Sequence, residues 1–194
     1  MGQHVMPWRF GYLLASPLRR LTDSPEKIIG PHIQRGMTVL DVGCAMGFFT
    51  LPMARMVGED GHVVAVDLQP QMLVALTKRL RRARLSDRVD LRRSGEISLG
   101  IGDLPGQVDF TLAVAVLHET GSKASMLEQI SVSMRNGARL LIIEPPSHVS
   151  DANWRETEKF ALETGFIVVD RPMVRGRNDR SILLEKPIPQ QMRA

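Results

Sequence analysis

Residues 39–50, VLDVGCAMGFFT, decide the fold of this chain. An apolar run carrying Asp41 leads directly into a turn that holds Gly43 and Gly47. Strands that are buried on both faces read as nearly continuous apolar runs, and glycines let a backbone turn tightly and approach a ligand closely. The stretch is therefore typical of the first strand, turn and helix of a doubly wound α/β sheet, whose ligands bind beyond the carboxyl ends of the strands. Ala45 stands between the two glycines, where a third glycine is expected.

The sequence after Met37 alternates short apolar runs with amphipathic segments. This alternation predicts an α/β fold with one mostly parallel sheet of seven strands and helices on both faces. We expect the strands at Thr38–Val42, His62–Asp67, Val89–Leu91, Phe110–Val116, Arg139–Glu144, Phe166–Val169 and Ile182–Leu184. The last two flank a turn-rich stretch, VRGRND, which suits an antiparallel pair.

Helical spacing of apolar residues predicts helices over residues 69–84, 122–135 and 151–164. In the second helix, Ser125 and Glu128 are spaced as a capping box, and Gly137 stands where the helix is expected to stop. In the third, Ser150 is the expected N-cap and Gly165 the stop.

The 194 residues suit one domain, because no Gly-, Pro- or Ser-rich tract separates two halves. We predict a flanking segment over residues 1–36, the main domain over 37–187 and a tail over 188–194. The first segment is rich in aromatic and leucine side chains, which leaves three roles open: a lid over the sheet, a dimer contact or a peripheral membrane contact. A monomer and a homodimer are both compatible with this sequence.

Composition excludes several classes of protein. No apolar run is long enough to span a membrane, and the N-terminus lacks the layout of a signal peptide, so the cytoplasm is the expected location. The single cysteine, Cys44, excludes an internal disulfide and a multi-cysteine metal site, and we expect no metal. A net charge of +4 allows an anionic partner without requiring one. The basic runs lack interleaved aromatic residues, so they give no strong nucleic-acid signal.

A second acidic residue restricts the classes of ligand that the turn could bind. Asp67 ends the next predicted strand, about 20 residues beyond the glycine turn, where a carboxylate meets ribose hydroxyls in dinucleotide-binding proteins. The sequence lacks two of the three glycines of the G-x-G-x-x-G motif, because Ala45 and Phe48 occupy their places. The pattern therefore favours a ribose-bearing cofactor and argues against a nicotinamide.

With these features in place, the chain resembles the class I (Rossmann-like) S-adenosylmethionine-dependent methyltransferases. Asp41, Gly43, Ala45 and Gly47 occupy the places of the family's first motif, an acidic residue followed by G-x-G-x-G. VVAVDLQPQML is similar to the second motif, and the resemblance covers roughly residues 25–187. The later matching stretches are VDFTLAVAVLHE, SMRNGARLLIIEPP and ALETGFIVVD. The chain most resembles the branch that includes the ubiquinone/menaquinone-pathway and arsenite methyltransferases, and the single cysteine disfavours arsenite chemistry.

The resemblance implies S-adenosylmethionine as cofactor and S-adenosylhomocysteine as product. Glu96, or the backbone of Ser94 and Gly95, would replace the acidic residue that holds the adenine amine in many relatives. The residues expected to bind the cofactor are Asp41, Gly43, Cys44, Ala45, Gly47, Phe48, Asp67, Leu68, Ser94, Gly95, Glu96 and Ala115.

Catalysis of methyl transfer consists largely of alignment, plus a base where the acceptor holds a proton. His118 and Glu119 follow the fourth strand, and His148 lies on the loop after the fifth, so these three are the candidate catalytic residues. For each of them a structural role is the alternative, such as a hydrogen-bonded imidazole or an N-terminal helix charge.

The sequence thus predicts an enzyme that transfers a methyl group to a small, apolar or aromatic acceptor. An RNA-directed methyltransferase is one alternative, favoured only by the basic balance. A non-catalytic partner subunit that binds S-adenosylmethionine is the other, favoured by Ala45 and by the missing adenine acid. The sequence does not distinguish an O, N, C or S acceptor atom.

Overall fold

The computed structural model describes residues 24–146, 149–174 and 180–189, and they form a layered α/β fold. The elements, in chain order, are α1 (Pro25–Ile29), β1 (Thr38–Val42), α2 (Thr50–Met56), β2 (His62–Asp67), α3 (Pro70–Ala83), β3 (Val89–Arg93), β4 (Val108–Val114), α4 (Lys123–Ser133), β5 (Met134–Glu144), α5 (Asp151–Glu163), β6 (Ile167–Asp170) and β7 (Arg180–Glu185). Short 3₁₀ turns cover Gly30–His32, Ser86–Arg88 and Leu117–Glu119.

The seven strands form one sheet in the order β3-β2-β1-β4-β5-β7-β6. Strands β1 to β5 pair in parallel, whereas β7 is antiparallel to both β5 and β6. The predicted mostly parallel, seven-stranded sheet is therefore confirmed, as is the final antiparallel pair. The strand order reverses between β1 and β4, and this is where doubly wound sheets bind their ligands.

Two hydrophobic layers cover the sheet. On one face, α1, α2 and α3 contribute side chains such as Ile29, Met53 and Leu76, each of which is fully buried. On the other face, α4 and α5 contribute Leu127 and Ala161. The central strands are buried on both sides, which explains why they read as continuous apolar runs.

Most predicted elements are found within a few residues of their expected ends, and two details of α4 are wrong. Its N-cap is Ser122, whose side chain accepts a hydrogen bond from Ser125 N at 3.3 Å, so Ser125 and Glu128 are not its capping box. Gly137 does not end the helix, because the chain has already entered β5 at Met134.

The predicted ends of α5 are confirmed. Ser150 accepts from Asn153 N, and Gly165 follows the helix with φ of 94°. No helix in the described residues has the length and apolar character needed to cross a membrane. Residues 1–23, which include most of the predicted flanking segment, lie outside the described part of the chain, and the proposed domain limits stay predictions.

Candidate functional site

The turn after β1 is tied to the end of β2 by three hydrogen bonds. The backbone N–H groups of Gly43 and Cys44 both donate to the carbonyl of Val66, at 2.9 and 3.0 Å. Ala45 N donates to Asp67 Oδ2 at 2.8 Å. These bonds hold the turn at the carboxyl edge of the sheet, close to the point where the strand order reverses.

The two glycines of the turn are required for different structural reasons. Both lie in the left-handed region, with φ of 72° at Gly43 and 82° at Gly47. A Cβ on Gly43 would come within 2.9 Å of Val116, and one on Gly47 would overlap Leu76 and lie 2.7 Å from Leu51. Gly43 therefore lets the turn approach the end of β4, whereas Gly47 lets it pack against two helices.

Ala45 also lies in the left-handed region, with φ of 47°. This conformation is ordinary for glycine and costs other residues roughly 1–2 kcal/mol. A glycine is expected at this position because glycine adopts the left-handed conformation at little cost. This chain adopts that conformation with alanine. The N–H bond from Ala45 to Asp67 helps to hold it there.

An Ala45→Gly variant tests this strain. We expect its free energy of unfolding to rise by about 0.5–1 kcal/mol, because glycine relieves the left-handed strain but loses more backbone entropy on folding. Its affinity for S-adenosylmethionine should stay within about threefold of the wild-type value, or about 0.6 kcal/mol, because the hydrogen bonds of the turn come from the backbone. Chemical denaturation and calorimetry measure the two quantities.

Arg84→Gly is the matched control. Arg84 has a similar φ of 56°, but it is the C-cap of α3, away from the turn. Comparable stabilisation in both variants identifies backbone strain as the cause. A large loss of affinity in the Ala45→Gly variant alone would contradict the expectation and assign a contact to the alanine methyl group.

Asp67 joins the turn to the start of α3. Its Oδ2 accepts from Ala45 N, and its Oδ1 accepts from Gln69 N, both at 2.8 Å. A carboxylate offers about four lone-pair sites, so each oxygen has capacity for a further donor. Burial raises the pKa of Asp67, and the two backbone hydrogen bonds act in the opposite direction. The result is an oriented carboxyl group that can accept hydrogen bonds from two hydroxyl groups.

Asp41 lies deeper, at the end of β1, and is only 3% exposed. Its Oδ2 accepts a hydrogen bond of 2.6 Å from the Thr50 hydroxyl at the start of α2. Burial raises the pKa of Asp41 to about 7, against the opposing effect of the Thr50 bond, and the nearby Asp67 adds to the rise. A positive charge bound nearby would favour its ionised form.

A cavity opens above these two carboxyl groups, at the carboxyl ends of β1, β2 and β4. Four carboxyl groups lie in its lining, at Asp41, Asp67, Glu96 and Glu119. None of the described residues that line it is Lys, Arg or His. Its apolar walls include Met46, Phe48, Phe49, Leu68, Met72, Leu99, Val114, Val116 and Met126.

Eleven of the twelve residues predicted to bind the cofactor line this cavity. They are Asp41, Gly43, Cys44, Ala45, Phe48, Asp67, Leu68, Ser94, Gly95, Glu96 and Ala115. Gly47 does not line the cavity, because it faces the helices that pack on the turn. Burial raises the pKa of the Cys44 thiol well above its usual value, which suits a packed side chain better than a nucleophile.

Sequence reasoning missed Gln129, a residue of α4 that holds the cavity wall at residues 94–99. Its side-chain amide accepts from Leu99 N at 2.9 Å and donates to the Ile97 carbonyl at 2.8 Å. The loop also closes on itself through Gly95 N and the Ser98 carbonyl, at 2.7 Å. An amphipathic pattern shows only that Gln129 lies on α4, so no signal in the sequence pointed to this contact.

The three predicted catalytic residues differ in their position relative to the cavity. Glu119 lines the cavity, whereas its neighbour His118 is not among the lining residues and has a side chain that is 13% exposed. His148 lies outside the described residues, so its role stays a prediction. Glu144, at the end of β5, was not predicted as a site residue, yet its Oε2 lies 2.6 Å from Nδ1 of His118. The Glu144 side chain is only 1% exposed.

The residues around the cavity fit S-adenosylmethionine, which carries ribose hydroxyls, an adenine ring and a positively charged sulfur. Asp67 presents an oriented carboxyl group to hydroxyl donors. The excess of acidic groups suits the positive charge, and the apolar walls suit the adenine ring. Across the described ranges, no group of three or more His, Cys, Asp or Glu residues is arranged to hold a metal ion.

Comparisons with known proteins agree with this geometry. The family described as "Methyltransferase domain" matches residues 33–173. A methyltransferase from Aquifex aeolicus, described as S-adenosylmethionine-dependent, has a solved structure that superposes with a TM-score of 0.83 and 25% identity, covering 94% of this chain and 100% of that one.

Two curated relatives match over a smaller share of their own length. Protein-L-isoaspartate O-methyltransferase 1 of Arabidopsis thaliana is 25% identical, covering 70% of this chain and 58% of the relative. Demethylmenaquinone methyltransferase of Lactiplantibacillus plantarum is 28% identical, covering 58% and 47%. The chain thus spans about half the length of these curated relatives. Because the family match covers most of the chain, and the sheet order and cavity agree with it, the protein belongs to the class I S-adenosylmethionine-dependent methyltransferases.

Proposed function

We propose that this protein transfers a methyl group from S-adenosylmethionine to a small, apolar or aromatic acceptor. The observation that carries the proposal is the combination of charge and apolar surface in the cavity. Four carboxyl groups and several apolar walls line it, and none of its described lining residues is basic. Such a lining attracts a cationic cofactor and disfavours a phosphate-rich partner at the same place.

The cofactor is proposed to lie along the carboxyl ends of β1 and β2. Asp67 would accept the two ribose hydroxyls, and the loop at Ser94–Glu96 would border the adenine ring. The turn at residues 43–47 would hold the methionine part, with Asp41 beneath it. When bound, S-adenosylmethionine supplies a methyl group that is already activated by the positive sulfur. The protein therefore has to align the acceptor, exclude water and accept a proton where the acceptor has one.

The acceptor is proposed to enter beside Glu119, where Val116, Met126 and Thr120 also line the cavity. Aliphatic and thioether side chains favour an apolar or aromatic molecule, and methionine adapts to different shapes. The similarity to the demethylmenaquinone enzyme is consistent with a quinone-like acceptor. The isoaspartate relative names a protein acceptor, and a 23S rRNA (uracil(1939)-C(5))-methyltransferase of Acinetobacter baumannii, 42% identical over 54 residues, names an RNA acceptor. The cavity lining is therefore the stronger argument for the class of acceptor.

The experiment has two stages. Calorimetry with S-adenosylmethionine and S-adenosylhomocysteine comes first, and we expect both to bind. The protein is then incubated with cell extract and methyl-labelled S-adenosylmethionine, and the label is followed into small molecules, lipids, protein and RNA after separation. Label in the small-molecule or lipid fraction supports the proposal.

Other outcomes contradict it. If neither compound binds, the proposed methyl-transfer function is wrong. Binding with no labelled fraction would favour a non-catalytic partner subunit. Label confined to RNA would favour an RNA-directed enzyme, whose binding should weaken steeply as the salt concentration rises.

A further inference from the structure

A buried carboxylate, an imidazole and a second carboxylate lie in a row beside the cavity. Glu144 Oε2 is 2.6 Å from His118 Nδ1, and His118 Nε2 is 3.9 Å from Glu119 Oε1. Glu119 lines the cavity, whereas Glu144 is buried at the end of β5. The row therefore runs from Glu144 in the protein interior to Glu119 at the cavity, and Nε2 is the ring nitrogen on the Glu119 side.

Glu144 also fixes the backbone that carries His118. Its Oε1 accepts from Leu117 N at 2.9 Å and from His118 N at 3.3 Å. The residue thus caps the 3₁₀ turn Leu117–Glu119 with one oxygen and orients the imidazole ring with the other. Main chain and ring of the same residue are both held by a single side chain from the neighbouring strand.

We propose that Glu144 is a positioning residue for methyl transfer: it holds the proton of the His118 ring on Nδ1 and so directs Nε2 to take the proton of the acceptor. This inference rests on the proposed function. It also narrows the acceptor class, because a base is useful only where the methylated atom carries a proton, as in a hydroxyl or an amine N–H. An ionised carboxylate only accepts hydrogen bonds, so Nδ1 must donate to it.

The proton step is balanced within these groups. The O–H or N–H bond of the acceptor breaks, and its electron pair stays on the acceptor atom, which becomes the nucleophile. A new N–H bond forms at Nε2, and the ring becomes an imidazolium that Glu144 stabilises. The proton later leaves to water, which restores the neutral ring.

Charged groups on three elements act on this ring. The hydrogen bond to Glu144 of β5 raises the pKa of His118, and burial opposes that rise. The charges of Glu144 and of Glu119 raise the pKa further, whereas Lys123 at the start of α4 lowers it. A higher pKa makes the neutral ring a stronger base, and it moves the pH at which the base becomes neutral upward.

Glu144→Gln separates positioning from capping. The amide oxygen of glutamine can still accept from Leu117 N, so the turn keeps its cap. The amide NH₂ would face Nδ1 as a donor, which forces the ring proton onto Nε2. ¹⁵N NMR of histidine-labelled protein reports the tautomer, with the His118 signal identified by its loss in His118→Gln. We expect the neutral ring to carry its proton on Nδ1 in the wild type and on Nε2 in Glu144→Gln, with a lower His118 pKa in the variant.

The rate of label transfer to the small-molecule or lipid fraction of the extract is the second measurement. We expect Glu144→Gln to lower it by about 100-fold, in line with the loss of a general base. The wild-type rate should rise with pH through the pKa of His118, because only the neutral ring accepts a proton. Asp109→Asn is the control, since Asp109 is also a partly buried acceptor, from Thr38 N at 2.8 Å, but lies at the start of β4, at the opposite edge of the sheet.

Binding of S-adenosylhomocysteine is measured on the same samples, so that failure of the proposed function is recognised separately. If the wild type binds the compound but Glu144→Gln leaves the tautomer and the rate unchanged, Glu144 is only a cap and the inference is wrong. An altered tautomer with an unchanged rate also overturns it, because the ring then takes no proton from the acceptor. If the wild type does not bind the compound, the proposed function fails whatever the tautomer.

Discussion

The Asp67→Ala variant is expected to bind S-adenosylmethionine and S-adenosylhomocysteine about 100-fold more weakly than the wild type. Hydrogen bonds to a charged group contribute roughly 1.5–3 kcal/mol each, and two ribose hydroxyls are proposed to donate to this carboxylate. A loss of about 3 kcal/mol corresponds to about 100-fold in the dissociation constant. Calorimetry at constant pH measures it.

The variant also removes the acceptor for Ala45 N and Gln69 N, so the ligand must be varied as well. The 2′,3′-dideoxy analogue of S-adenosylhomocysteine lacks both ribose hydroxyls. The wild type should bind this analogue about as weakly as Asp67→Ala binds the parent compound, and the variant should not distinguish the two. Asp87→Ala, at an exposed position before β3, should bind normally. If Asp67→Ala retains the wild-type preference for the hydroxyls, Asp67 does not hold the ribose.

The Asp41→Asn variant is expected to remove a large pH dependence of stability. The pKa of Asp41 is about 7 in the folded protein, against an ordinary value of 3.8, because the group is buried. Between these values the folded state binds more protons than the unfolded state, so stability falls as pH rises and becomes level above about pH 7. This group alone lowers the wild-type free energy of unfolding by about 3 kcal/mol between pH 5 and pH 8.

Asparagine has no proton to lose, and its amide oxygen can still accept from the Thr50 hydroxyl. Between pH 5 and pH 8, we therefore expect the free energy of unfolding of Asp41→Asn to fall by about 3 kcal/mol less than that of the wild type. Urea denaturation at several pH values measures the difference. Asp87→Asn, an exposed control, should keep the wild-type slope. Identical slopes in Asp41→Asn and the wild type would show that Asp41 ionises normally in the folded protein.

Asp41 and Asp67 were both found from the sequence because local order carries their signal. Each ends an apolar run that becomes a central strand, and parallel strands bring their carboxyl ends to one edge of the sheet. Ala45 was found in the same way, from its place between two glycines. Eleven of the predicted residues line the cavity, and their roles in binding stay proposals.

Gly47, Glu144 and Gln129 show where this reasoning stops. Gly47 is absent from the cavity lining, and a Cβ at this position would meet Leu51 and Leu76, a constraint that depends on how α3 packs over the turn. Glu144 acts 27 residues away along the chain, on Leu117 N. Gln129 holds a loop 30 residues before it. Such contacts follow from the pairing of β4 with β5 and from the packing of α4, which no local pattern records.

The sequence by itself determined the α/β class, the seven strands and the acidic groups at the ends of β1 and β2, because hydrophobic periodicity and glycine placement are local properties. Only the tertiary structure decided which side chains meet. It put four carboxyl groups in one cavity with no basic residue in its described lining, and it aligned Glu144, His118 and Glu119. Charge and proton affinity depend on burial and on neighbours distant in sequence, so the chemistry of the site appears only once the chain is folded.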